Sequence, residues 1–547
     1  MPGPGIVVKR VALWEVEYPK QDPDYSAVSR QEGRNPDLRP TVLKFSVNDC
    51  VSAGRSLQLT PRTPLTIMKN LLTRRDFIKR SALGAATLSG AGFFHAPNIL
   101  AADSPGKKLN CAFIGCGGRQ MNHLEWIATQ SKDNVVAIVD PDEKQHAKVK
   151  KYLQEHNCDP DKTQAFADYR VMYDKIGKEL DVVVVATPNH HHALASMLAM
   201  NLGKAVYCEK PLTHDIAEAR MLRKMAAESK APTQMGNQGH CMEGYHRLCE
   251  FVAAKVVGNI TETHSWTDRA NGGAGPRPPV LPVPAGMNWD SWIGPAPFRD
   301  FHSDLHPHEW HGWYDFGNGS LGNMGCHVLD GVFWALKVEH PVSIEAEEVS
   351  GGSDERYPLG SKLRFDIPAR GDMPAFKAYW YEGLKKGAKS GAAGNLHAAR
   401  GDDRNFPPLL HELLKQYPDE EIDKPDSGTL YVGEKGVLYT GTYGGKFHIL
   451  PLEKMAEANS KVPRTMQRIK SENPMTDLLA AIREGRKETH ASFDYGAQLT
   501  EFTLLGNLAQ HAGVGKKLEW DGPNMKVTNM PELSRWIKSP YRKGWPS

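Results

Sequence analysis

The chain has 547 residues, more than one hydrophobic core usually organises, so two structured domains and an N-terminal extension are expected. Lys and Arg total 67 against 64 Asp and Glu, a formal net charge of +3, and no basic run is long enough to track a phosphate backbone. No nucleic-acid partner is expected. The eight cysteines (Cys50, Cys111, Cys116, Cys158, Cys208, Cys241, Cys249, Cys326) lack the close spacing of a zinc knuckle or a redox dithiol, so no metal and no disulfide framework is expected.

Residues 1–67 are Pro-rich and without sustained periodicity. Then Met68-Lys69-Asn70 leads into Thr73-Arg74-Arg75-Asp76-Phe77-Ile78-Lys79 and a weakly apolar, Ala/Gly-rich stretch over 81–94, the order of parts in a twin-arginine signal peptide. The stretch is too short to span a bilayer. Because such a signal is read near an N-terminus, translation is expected to begin at Met68, making 1–67 a mis-called or disordered extension and 68–102 the signal. Leu100 before Ala101-Ala102 makes a poor small-x-small cleavage site. The twin-arginine translocase is then a partner and the destination is the periplasm. A protein exported already folded around its ligand is expected to hold that ligand tightly.

Next comes a nucleotide-binding pattern, expected over 103–235. The apolar strand Leu109-Asn110-Cys111-Ala112-Phe113-Ile114 runs into Gly115-Cys116-Gly117-Gly118-Arg119-Gln120 and a helical stretch, which sets a pyrophosphate on a helix N-terminus. Gly115 permits the tight turn and Gly117 lets backbone approach phosphate; Gln120 stands where the fingerprint has Gly or Ala, and Gly118 is a candidate to share that role. A second strand, Val135 to Val139, ends at Asp140, placed to accept the ribose hydroxyls and disfavour a 2′-phosphate. NAD is preferred, with NADP open because Arg119 and Lys144 stand near. Asp181-Val182-Val183-Val184-Val185 reads as a central parallel strand, followed by Ala186-Thr187-Pro188-Asn189-His190-His191-His192. Three adjacent imidazoles on a starting helix point in different directions, so no shared metal is expected there. The strand Ala205-Val206-Tyr207-Cys208 delivers Glu209-Lys210-Pro211-Leu212 to the same edge, where a lysine can orient and deprotonate an alcohol beside a nicotinamide.

These motifs, together with Gly322-Asn323-Met324-Gly325-Cys326-His327-Val328-Leu329-Asp330, resemble the glucose-fructose oxidoreductase, inositol dehydrogenase and rhizopine-catabolism (Gfo/Idh/MocA) family over about residues 109–521. The resemblance implies an α/β chain: an N-terminal Rossmann domain, then a C-terminal α+β domain with an open, mostly antiparallel sheet that holds the sugar site and a homo-oligomer contact. It implies Lys210 and His327 as catalytic, Gly115, Gly117, Gly118, Arg119 and Asp140 on the dinucleotide, and Thr187, Pro188, Asn189, His192 and Glu209 at its nicotinamide end. The family usually has Asp four residues before the histidine, and here stands Asn323. Asn323 can still hydrogen-bond a substrate hydroxyl beside His327, but it deprives the imidazole of a charge partner. Asp330 is expected to be structural.

The second domain is expected over 236–525, with a tail over 526–547. Strand patterns recur at 260–266, 342–349, 362–365, 375–381 and 428–439. Residues 272–313 form a long Pro-rich insertion dense in aromatics, among them Trp289, Trp292, Trp310 and Trp313. Trp310 and Trp313 are candidates to stack on a sugar ring, with loop packing the competing role. Its histidines, His302, His306, His308 and His311, lack a zinc pattern. Residues 383–427 read as a polar, irregular insertion, and 478–482 and 499–509 as helices returning to the sheet.

The reading is an NAD(P)-dependent oxidoreductase of a sugar, polyol or related carbohydrate, with Lys210, His327 and Asn323 as the catalytic set: Lys210 deprotonates the hydroxyl, His327 relays the proton and Asn323 anchors the substrate. Two alternatives remain open at this point: a lyase or glycosidase using transient oxidation without net redox change, and a non-catalytic sugar-binding protein of the same fold.

Overall fold

A computed structural model describes residues 108–388, 403–418, 426–469 and 471–546; the proposed extension and signal lie outside them. The first sheet is parallel, in the order β3-β2-β1-β4-β5-β6. Its strands are β1 (Asn110–Ile114), β2 (Asn134–Val139), β3 (Gln164–Phe166), β4 (Val182–Val185), β5 (Ala205–Cys208) and β6 (Thr233–Met235). This is the doubly wound Rossmann order, with the chain reversing direction across the sheet between β1 and β4. All four valines of β4 are buried because helices cover both faces. Period-two alternation splits them: Val183 and Val185 join one core with Ala112, Ile114, Val206 and Cys208, while Val182 and Val184 join another with Cys111, Phe113 and Tyr207.

That second core is completed from far down the chain. Met475, Leu478, Leu479 and Ile482, from the helix Pro474–Glu484, pack onto it. The helix expected over 478–482 to return to the sheet is thus present and longer, and it packs on the first sheet, so chain beyond residue 235 completes the first domain.

The second sheet has nine strands in the order β13-β12-β11-β7-β10-β9-β8-β14-β15. They are β7 (Ile260–Thr267), β8 (Ser343–Ser350), β9 (Gly360–Ile367), β10 (Phe376–Gly383), β11 (Ser427–Gly433), β12 (Gly436–Gly441), β13 (His448–Leu450), β14 (Lys517–Asp521) and β15 (Lys526–Val527). β7 and β10 pair in parallel, and the other pairings are antiparallel. The predicted strand over 428–439 is in fact the hairpin β11-β12, turning at Glu434-Lys435. The apolar helix Phe493–Ala512 lies between the domains; Leu499, Phe502, Leu505 and Leu508 enter the common core with Leu222, Leu363 and Phe365. The helix is buried on most of its circumference, and among its buried polar groups Glu501 pairs with Arg220 and Asn507 Nδ2 donates to the Asn318 carbonyl.

The aromatic insertion builds a core of its own. Trp289 and Trp292 stack at 4.5 Å, and Phe301, Leu305, Trp310, Trp313 and Phe316 close around them. The second insertion is not wholly irregular: the helix Pro408–Gln416 buries Leu410 and Leu413 against Trp266, Tyr381 and Tyr439.

Candidate active site and dinucleotide cradle

The loops leaving β1, β4, β5 and β6 meet at the C-terminal edge of the parallel sheet, the place where open α/β sheets bind ligands. Gly115 has φ +82°, and a Cβ there would lie 2.6 Å from the Ala186 carbonyl oxygen, so the β1 loop and the β4 loop can touch only through glycine. Gly117 and Gly118 face open space, with nothing within 4 Å of a Cβ built on either, and the helix Gly118–Leu124 begins there. That is a cradle of the kind a pyrophosphate fills, with free amides and a helix N-terminus. Gln120, at the third fingerprint position, is buried and its amide reaches the Val184 carbonyl at 3.4 Å, so packing against β4 is kept by a longer side chain.

Asp140 pins this loop. Its Oδ2 accepts from Cys116 N at 2.8 Å and its Oδ1 from Asp142 N at 2.9 Å. Burial pushes its carboxyl up to about 6. The Thr187 hydroxyl is a buried polar atom with no partner among the described residues, an orphan at the mouth of the crevice. The cradle and this orphan donor fit a dinucleotide.

Behind the cradle sits a charged cluster. Glu209 Oε1 accepts from Arg119 Nε at 2.9 Å and from His123 Nε2 at 2.7 Å. Burial works to raise the Glu209 carboxyl, but Arg119 and the His123 hydrogen bond outweigh it and hold it well below the usual range. His123 is itself pushed down by burial and acts as a neutral donor. Gly236 makes room for this carboxylate, since a Cβ there would lie 2.7 Å from Glu209 Oε1.

Lys210 comes next. Its Nζ donates to the Asn323 carbonyl at 2.5 Å and lies 3.4 Å from Asn323 Oδ1, while Asn323 Nδ2 donates to Asn271 Oδ1 at 2.8 Å. Burial pulls the ammonium down to about 8, with Glu209 the main opposing influence. Asn323 thus anchors the lysine instead of offering a free amide. The segment Leu321–Gly325 is a π-helical turn, wider than the regular helix expected, and such turns often mark functional sites.

His327 lies on the short helix that follows. Burial, with Lys210 adding to it, pushes its imidazole well below the ordinary range, so it is neutral at physiological pH. Its Nδ1 meets Asn237 Oδ1 at 2.9 Å, and the Tyr443 ring stands edge-on at 4.6 Å. Asp330 does not reach His327; it is fully buried, bonded to His240 Nδ1 at 3.1 Å and to the Tyr495 hydroxyl.

Several expected contacts are displaced. His192 is buried with Nδ1 and Nε2 each 2.8 Å from a carbonyl, of Pro211 and Thr187, so it ties the β4 and β5 loops together and does not open on the cleft. Asn189 donates to Asn318 Oδ1 at 2.8 Å and is equally buried, holding the two domains together beside Pro188, which caps its helix. His190 and His191 both approach the Trp292 carbonyl. Trp313 is 0% exposed, its indole N–H donating to the Asp304 carbonyl at 2.9 Å and its ring inside the insertion core; it offers no face to a sugar. Trp310 is covered on one side by His311, stacked at 3.6 Å.

Three site residues were missed in the sequence: Asn237, Asn271 and Tyr443. Asn237 had a usable signal, because it follows β6 as Lys210 follows β5. For Tyr443, held at φ +60° in Gly441-Thr442-Tyr443-Gly444-Gly445, only the glycine cluster gave a sign.

Comparison with known proteins gives the same two-domain organisation. Residues 109–237 match the model described as the oxidoreductase family NAD-binding Rossmann fold (GFO_IDH_MocA), and residues 255–355 match that family's C-terminal alpha/beta domain. An inositol 2-dehydrogenase of Salmonella paratyphi B is 28% identical over 160 residues, 28% of this chain and 45% of that protein. The D-xylose 1-dehydrogenase (NADP(+)) of Hypocrea jecorina is 26% identical over 183 residues, covering 33% and 40%. The chain thus spans less than half the length of either curated relative. Among solved structures, the WlbA dehydrogenase from Bordetella pertussis, in complex with NADH and UDP-GlcNAcA, shares the fold at TM-score 0.50 and 14% identity, over 76% of this chain and 99% of that one. Residues 109–237 are thus similar to the Rossmann domain, and residues 255–355 to the C-terminal alpha/beta domain, of the Gfo/Idh/MocA oxidoreductases.

Proposed function

We propose that the protein is an NAD(P)-dependent oxidoreductase acting on a CH–OH group of a sugar, polyol or related carbohydrate. The observation that carries this is the setting of Lys210. A neutral amine has two N–H bonds, and Asn323 presents two oxygens to Nζ, at 2.5 and 3.4 Å. The lone pair is then left for the cleft, where it can take a hydroxyl proton. With burial pulling the ammonium down to about 8, the neutral amine is accessible near physiological pH. A bound nicotinamide dinucleotide would supply the hydride acceptor; Gly115, Gly117 and Gly118 would hold its phosphates, with Arg119 and Thr187 beside them. His327, a neutral imidazole, orients the substrate through a hydroxyl next to the reacting one. The test is NADH or NADPH formation with a panel of sugars and polyols, and its loss in Lys210→Met.

NAD is the proposed cofactor, since a carboxylate at Asp140 repels a 2′-phosphate. Tight retention is supported by the insertion, which folds over the end of β2: Glu143 N donates to Gly286 O at 3.0 Å, Asn288 N donates to Pro141 O at 2.8 Å, and His306 Nε2 lies 3.6 Å from Asp142 Oδ2. The tail fastens that insertion in turn, Arg542 bonding Asp290 Oδ1 at 2.6 Å. Nucleotide released on denaturing the purified protein would decide both points.

Export by the twin-arginine route to the periplasm, and a homo-oligomer formed through the second sheet, complete the proposal. The first rests on the Arg74-Arg75 segment alone and is tested by fractionating cells carrying Arg74→Lys/Arg75→Lys. The second is tested by the mass of the protein in solution.

A further inference from the structure

We infer that Asn237 is a positioning residue that locks His327 in its Nδ1–H tautomer, so that Nε2 meets the substrate as a hydrogen-bond acceptor. This deepens the oxidoreductase reading and rests on it. Asn237 is completely buried in the loop after β6, and its amide is oriented from both ends. Its Nδ2 donates to the Cys326 carbonyl at 3.0 Å, which turns Oδ1 toward His327 Nδ1 at 2.9 Å. The reverse orientation would set two carbonyl oxygens against each other. An amide oxygen only accepts, so the shared proton sits on Nδ1, and a neutral ring then carries a lone pair on Nε2. Among the described residues no protein group is bonded to Nε2.

The surroundings favour the neutral ring. Lys210 and Arg119 are cations facing it, Glu209 is the one facing carboxylate among the described residues and is engaged by Arg119 and His123, and Tyr443 presents a ring edge. The Tyr245 hydroxyl donates to the His327 carbonyl at 2.5 Å and fixes the backbone from below. A neutral amide partner orients the imidazole without stabilising its charge, whereas a carboxylate would do both. The base of the reaction is then Lys210 alone: the reacting hydroxyl gives its one proton to Nζ, and His327 Nε2 accepts from a neighbouring hydroxyl of the carbohydrate and aligns the substrate through it.

The experiment uses full-length protein with ¹⁵N-labelled histidine and compares wild type, Asn237→Asp, Asn237→Ala and a His327→Gln reference that assigns the signal. The expected wild-type spectrum shows a neutral His327 ring with Nδ1 protonated and Nε2 free, unchanged through the pH at which a free imidazole titrates, about 6.5. Asn237→Asp, nearly isosteric, should keep that tautomer but raise the imidazole pKa by about 1–3 units, adding an acid limb to the kcat/KM profile. Asn237→Ala should mix the tautomers and lower kcat about tenfold or more. An Nε2–H tautomer in the wild type, or an Asn237→Asp profile and spectrum like the wild type, would overturn the assignment. The spectra need no turnover, so a locked tautomer in a protein that oxidises no sugar would sink the oxidoreductase reading and leave the tautomer assignment standing.

Discussion

Lys210 and Asn323 meet across the join between the domains, the lysine Nζ 2.5 Å from the asparagine carbonyl and 3.4 Å from its side-chain oxygen. Where the family usually has an acid, this chain has an amide, and the difference falls on the lysine. With no charge at position 323, burial is free to pull the ammonium down to about 8. In the proposed reaction the neutral amine is the reactive form, so kcat/KM should rise with pH and level off above about 8. Asn323→Asp would place an anion beside Nζ, favour the ammonium and move that limb up by about 1–3 units. An unmoved limb would mean that another group titrates.

Glu209 links stability to pH. Its carboxyl is held well below the usual range in the fold, against about 4.3 in an unfolded chain. A depressed native pKa gives stability that is present above the unfolded value and is lost as pH falls toward the native one. Thermal denaturation should show a fall in Tm below about pH 4.3 that is smaller in Glu209→Gln. At neutral pH the variant should be less stable by about 1–2 kcal/mol, at the low end for charged hydrogen bonds because Arg119 is 39% exposed. Equal acid sensitivity in both proteins would contradict the pairing.

The two loop glycines should separate folding from binding. Gly115→Ala puts a methyl at φ +82° against the Ala186 backbone and should lower Tm even without nucleotide. Gly117→Ala meets nothing in the protein, so Tm should hold while dinucleotide affinity, measured by calorimetry, falls.

Trp313→Ala should cost about 3–5 kcal/mol of stability and leave KM for the carbohydrate unchanged when assayed well below the unfolding temperature. A raised KM at unaltered stability would restore the stacking role that its burial denies.

The Rossmann half was legible because each part has a local cause: a run of valines for a strand covered on both faces, glycines where backbone must approach backbone or phosphate, and an acid closing β2. Lys210 and His327 were legible through ordered motifs, but their partners were not. Asn237 and Asn271 reach the site through contacts over long sequence separations, and the helix read over 478–482 could not be assigned to the first sheet, because periodicity reports only neighbours in the chain. The tryptophans of the insertion misled for a related reason. Aromatic density signals a need for apolar contact, and Trp289, Trp292 and Trp313 satisfy it among themselves and with Phe301 and Phe316.

The most direct test is to denature the purified protein, before and after incubation with a panel of sugars and polyols, and identify the released nucleotide by mass and absorbance. The account predicts bound NAD that becomes NADH with at least one of them, and no such conversion in Lys210→Met that still carries NAD. Protein that holds no dinucleotide, and takes up neither NAD nor NADP when supplied, would contradict it.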